Sequence, residues 1–83
     1  MTDSGITEID IHGMTAYQAK ICVESAIKRA GRATYRIRVI HGYRGGTALR
    51  ELVRQQLSKN PKVLRCEIGS NPGETDLVLR EMI

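Results

Sequence analysis

Thr7-Glu8-Ile9-Asp10-Ile11-His12-Gly13 alternates strictly, with Ile9 and Ile11 to one side and Glu8, Asp10 and His12 to the other. That period of two is the pattern of a strand with one buried face. Beyond the glycine the period changes. Thr15-Ala16-Tyr17-Gln18 carries the Thr-x-x-Gln of a capping box, and Ala19, Val23, Ala26, Ile27 and Ala30 recur behind it at helical spacing. Gly31 is placed to end that helix as its C′ residue. The same order then repeats. Thr34 to Ile40 reads as a second strand, with Ile37 and Val39 on one face and Arg36, Arg38 and Ile40 on the other. His41-Gly42 opens into a glycine-rich loop, and Thr47 is placed to cap a second helix with the stripe Leu49, Leu52, Val53 and Leu57. Asn60-Pro61 stops it, because proline disfavours a helical residue before it. Val63 to Ile68 is a third strand, Asn71-Pro72-Gly73 a turn with the residues of type II, and Leu77 to Arg80 a short fourth strand.

The order βαβαββ predicts an α/β fold, a two-layer βαβαββ sandwich with a four-stranded mixed sheet and two helices on one face. Right-handed crossovers between adjacent parallel strands put both helices on the same side. The last connection is too short for a crossover, so the fourth strand is expected to run antiparallel. Eighty-three residues make one domain; residues 1–5 are read as a flexible N-terminus and 6–83 as the domain. With 41% hydrophobic residues but no Trp and no Phe, its core must be aliphatic. Cys22 lies on an apolar helical pattern and Cys66 on a strand pattern, so both read as small core residues in a reducing compartment. The N-terminus lacks the features of an export signal and no run approaches about 18 apolar residues, so a cytoplasmic protein with no membrane partner is expected.

The net charge of +4 is unevenly spread. Residues 28–65 carry eleven Lys and Arg against Glu51 alone, while the segments on either side are each net acidic. A basic middle of this kind suits a polyanionic partner such as nucleic acid, or an ordinary solvated surface. Asp10-x-His12 puts a carboxylate and an imidazole on one strand face about 6.5–7 Å apart. There the carboxylate could orient the ring for proton transfer, or could pair with a second-strand arginine and leave the histidine merely exposed. The loop His41-Gly42-Tyr43-Arg44-Gly45-Gly46 precedes a helix start, a common anion site, but it lacks both the P-loop and the dinucleotide fingerprint, so nucleotide hydrolysis is not expected. Arg44, with Arg50 and Arg54 spaced i, i+4, could supply phosphate contacts, and Tyr43 could stack on a base or pack over the loop. Arg36 and Arg38 on the open sheet face are counted with the phosphate-binding residues. Two histidines with no third ligand and no C-x-x-C make a poor metal site, so no cofactor is expected and a divalent ion such as Mg has no ligand cluster to hold it.

These segments together resemble the Smr (small MutS-related) domain family, most of all the C-terminal Smr domain of the second bacterial MutS paralogue. The residues that carry the resemblance are Ile9-Asp10-Ile11-His12-Gly13, the capped helix, Val39-Ile40-His41-Gly42, Thr47-Ala48-Leu49-Arg50 and Asn71-Pro72-Gly73-Glu74-Thr75, and it covers roughly residues 6–81. It implies the same two-layer βαβαββ fold, nucleic-acid binding and, in many members, endonuclease activity on DNA or RNA. The family's apolar-Asp-apolar-His motif falls on Ile9 to His12. Its second motif, Thr or His before Gly-x-Gly, falls on His41 and Gly42. Arg44 stands where the family has the second glycine, and Gly45 and Gly46 follow, so the loop is one residue longer. Two readings result. In one, a nucleic-acid phosphodiesterase uses His12 as general base or acid with Asp10 tuning it and His41 as a second proton-transfer group; Gly42, Gly45 and Gly46 amides with Arg44 and Arg50 hold the scissile phosphate. In the other, the same corner grips nucleic acid or a protein without cleaving it.

Overall fold

The computed structural model describes residues 5–42, 47–69 and 71–81. The alternating stretch forms β1 (Ile6–Asp10). Next come α1 (Ala16–Arg29), β2 (Arg36–Ile40), a second helical segment beginning with α2 (Ala48–Glu51), β3 (Arg65–Ile68) and β4 (Glu74–Val78). β1 and β2 pair in parallel with Ile9 opposite Val39, and both helices lie on one face. The expected two-layer architecture is therefore what the chain adopts.

The strand order is β1-β2-β4-β3, with β4 antiparallel to both neighbours. The second crossover thus joins strands that are not adjacent, contrary to the expectation from sequence, because β4 inserts between them. It begins at Glu74, three residues before the expected Leu77. Glu74-Thr75-Asp76 is polar and reads as loop, but in a central strand Thr75 and Asp76 are buried with hydrogen-bond partners. The turn before it is not type II. Gly73 does not adopt the positive φ that type II demands at that position. Instead its N–H donates to the Asn71 side chain at 2.8 Å, and Glu74 N–H to the Asn71 carbonyl at 3.1 Å.

The core is aliphatic, as the composition requires. Ile11, Ala19, Val23, Ile37, Val39, Val53 and Leu77 are fully inaccessible, and each larger one contributes on the order of 1.5–3 kcal/mol by leaving water. Cys22 and Cys66 are free thiols packed partly buried against it. Both bonds of the capping box form at the start of α1: Thr15 Oγ1 accepts from Gln18 N–H, and Gln18 Oε1 accepts from Thr15 N–H, each at 3.1 Å, a cap worth about 1 kcal/mol. Its C-cap is Ala30, and Gly31 follows without a left-handed conformation.

The second helix departs from a regular α-helix. After Glu51 it widens into a π-helical stretch, Leu52–Gln56, and closes with a 3-10 turn, Leu57–Lys59. Widening to i→i+5 bonding brings Leu52 and Leu57 one turn apart, and with Val53 they are the buried residues of this stretch. The expected cap at Thr47 also does not form: its hydroxyl donates to Glu51 Oε2 at 3.1 Å instead of accepting a backbone N–H.

Candidate functional site

β1 stops at Asp10, and the next four residues build a corner. Ile11 stays in the core and donates its N–H to Ile40 O at 2.9 Å, continuing the ladder for one more residue. Met14 N–H then returns to Ile11 O at 3.0 Å, a turn that Gly13 permits with φ 80°. His12 sits at its outer side. On a straight strand the Asp10 and His12 side chains would run alongside each other, but here the chain has begun to turn and they converge. Asp10 Oδ1 accepts from the His12 backbone N–H at 3.1 Å and from the ring Nδ1 at 2.5 Å. Nδ1 therefore carries the proton, as this network assigns it, and Nε2 presents its lone pair outward without a partner among the described residues. Hydrogen bonds from His12 hold the Asp10 carboxyl below the usual range, so it stays ionised. The His12 side chain is 69% exposed, open to a ligand.

His41 occupies the equivalent place after β2 but faces the other way. It is buried, 5% exposed, and both ring nitrogens are taken. Nδ1–H donates to Gly42 O at 2.8 Å, and Nε2 accepts from the Thr75 hydroxyl at 2.9 Å. Thr75 Oγ1 in turn accepts from Arg54 Nε–H at 3.0 Å. Burial, then the nearby charges of Arg54 and Arg50, push the ring below its ordinary pKa, against the Gly42 bond that supports it. A neutral ring bonded at both ends has no nitrogen to offer a substrate. His41, expected as a second proton-transfer group, is thus held in this structure with both ring nitrogens engaged, and it organises the backbone. Its own N–H and that of Gly42 both donate to Gly73 O, at 2.9 and 3.0 Å. Gly42, at φ 77°, backs directly onto His12: a side chain built there would meet His12 Cβ at 3.5 Å. The two His-Gly corners are thus neighbours, but only one shows its imidazole.

The arginines divide as well. Arg50 is partly buried near His41 and makes no hydrogen bond or ion pair with another described residue. Arg54 uses Nε on Thr75. Arg36 and Arg38, expected to hold phosphate, are instead committed to carboxylates on the open face. Asp76, 2% exposed, accepts from Arg36 Nη1 at 2.8 Å and from Arg38 Nε and Nη2 at 3.1 and 3.2 Å. Glu67 pairs with Arg36 at 3.0 Å, and Glu74 and Glu8 with Arg38 at 3.7 and 3.9 Å. Tyr43, Arg44, Gly45 and Gly46 lie outside the described residues. Among the described residues no three His, Cys, Asp or Glu side chains gather as a metal site. Sequence reasoning missed Thr75 and Asp76 as organising groups; the one available signal was their place directly after the Asn71-Pro72-Gly73 turn.

Fold and site define a small βαβαββ domain with a carboxylate–histidine pair exposed at the C-terminal edge of its parallel strands. The model of the Smr domain matches residues 9–75. The crystal structure of the Smr domain of Thermus thermophilus MutS2 superposes with a TM-score of 0.79 at 30% identity, covering 90% of this chain and 99% of that one. The chain belongs to the Smr domain family. No curated protein matches it. Among the described residues no helix is long and apolar enough to cross a membrane.

Proposed function

We propose that this Smr domain binds nucleic acid at the edge formed by its two His-Gly corners and cleaves a phosphodiester bond there. The observation that carries the reading is the oriented Asp10–His12 pair, with Nε2 of the exposed ring unpartnered among the described residues. In the reaction, Nε2 takes the proton of an attacking hydroxyl, an RNA 2′-OH or water, as its oxygen bonds to phosphorus. The bond to the leaving oxygen breaks, and the imidazolium returns a proton to that oxygen. Asp10 holds the tautomer and stabilises the charged ring. In this reading Arg50 holds a phosphate oxygen and the charge that develops on it; what supports this is that it has no partner among the described residues and lies near His41. Tyr43, Arg44, Gly45 and Gly46, outside the described residues, are carried over from the sequence as further nucleic-acid contacts in this reading.

A non-catalytic module has one observation in its favour: His41 is sealed in, which leaves a single exposed imidazole for both proton transfers. Incubation with a structured RNA and its 2′-deoxy analogue, with and without EDTA, separates the cases. Cleavage of the RNA alone, resistant to EDTA, is the expected result. Equal cutting of both, abolished by EDTA, contradicts the metal-free route. Salt-sensitive binding with no cutting supports the module.

A further inference from the structure

We infer that the helical layer, and not the open sheet face, is a phosphate track that joins the His12 corner to a second basic cluster at the opposite edge of the sheet. The inference rests on the nucleic-acid reading above and names the surface. Charge separates by layer. On the open face Arg36, Arg38 and Arg65 all pair with carboxylates. Glu8, Asp10, Glu67, Glu74, Asp76 and Glu81 outnumber them, so that face repels phosphate. On the helical side Lys28, Arg29, Arg32, Arg50, Lys59 and Lys62 have no carboxylate of a described residue within 4.0 Å. Cations left unpaired on one layer, beside a net acidic face on the other, are complementary to a polyanion lying across the helices.

The topology places these groups at both ends of that layer. α1 runs back against two parallel strands, so its first turn lies by His12 and its last by the strand starts. There Arg80 Nη2–H reaches Gly31 O at 3.5 Å, and Thr34 N–H closes onto the same carbonyl at 3.1 Å. Lys62 and Arg80 line a groove of about 310 Å³ with Ile27, Ala30 and Leu64. Lys28, Arg29 and Arg32 border it in sequence at the end of α1. The second helix makes the same traverse, with Arg50 and Arg54 at the corner and Lys59 at the far end. The 14 residues of α1 rise about 21 Å, which is about six nucleotide steps of a duplex strand at roughly 3.4 Å each. A substrate must extend about that far from the scissile bond to engage both ends.

Fluorescence anisotropy with labelled hairpin oligonucleotides whose duplex stems are 4 and 16 base pairs long tests this on the full chain. Wild type should bind the longer one at least tenfold more tightly per molecule. Arg29→Glu with Lys62→Glu, both exposed, should remove most of that advantage while hardly changing the affinity for the short oligonucleotide. Arg65→Gln, on the open face, should stay within about twofold of wild type for both. Undiminished binding of the long oligonucleotide by the double variant, with its fold checked by circular dichroism, overturns the track alone. Absence of wild-type binding to either probe at low salt overturns the nucleic-acid reading and the track with it.

Discussion

Replacing Thr75 by Val tests whether the buried Arg54–Thr75–His41 chain holds the second corner. Thr75 is fully inaccessible, and its hydroxyl both donates to His41 Nε2 at 2.9 Å and accepts from Arg54 Nε at 3.0 Å. Valine has nearly the same shape, so no cavity opens and the cost comes from hydrogen bonding. The His41 nitrogen is left buried without a donor, a loss of about 1–3 kcal/mol. Arg54 is only partly buried and can turn to water, so it adds little. A net loss of about 2 kcal/mol is expected, and at about 4–8 °C per kcal/mol for a small domain the Tm falls by about 8–16 °C. Thr75→Ser keeps the hydroxyl and gives up one methyl, about 0.8 kcal/mol. Thermal unfolding followed by circular dichroism at pH 8 measures both. A valine variant within about 0.5 kcal/mol of wild type, or one more stable than the serine variant, refutes the reasoning.

Asp76→Asn keeps the size of the side chain but removes the charge that Arg36 and Arg38 share, and urea unfolding should show a loss of roughly 2–3 kcal/mol, below the full cost of breaking a buried pair because both arginines are partly solvated. Stability should also fall with acid above the carboxylate range. His41 has a lowered pKa in the fold, so the unfolded chain takes up its proton first; that group's contribution is complete above about pH 6.5 and is lost as pH falls from there toward the folded value, at no more than about 1.4 kcal/mol per pH unit. Urea unfolding of wild type and His41→Asn between pH 8 and 5 should show the variant less stable at pH 8 but flatter across that window. Arg50→Ala should weaken duplex DNA binding and reduce the slope of log K against log salt by about 0.9, the share of one phosphate contact.

Much of this was legible locally. The alternation that begins at Thr7 and the Thr15–Gln18 box each depend on residues a few positions apart; the box formed as its spacing implies, and the strand formed but ended at Asp10, so that the turn beyond it brings His12 onto Asp10. The hydrogen bonds that enclose His41 could not be read from β2, since Thr75 is 34 residues away. The main partner of Arg36 and Arg38 was hidden for the same reason: Asp76, which binds both, lies in a stretch whose polar residues look like a loop. The strand order was hidden because a β4 on the outside and a β4 in the middle share one pattern of elements. The π-helical stretch was hidden because Leu49, Leu52, Val53 and Leu57 also fit a regular helix.

The central claim is that the Asp10–His12 pair performs proton transfer on a bound phosphodiester. The most direct measurement is single-turnover cleavage of a structured nucleic-acid substrate by wild type and His12→Ala, with binding measured on the same samples. The account predicts a cleavage rate lower by about 10²–10⁴-fold and an affinity within about threefold of wild type. Cleavage by the His12→Ala protein at the wild-type rate would contradict it.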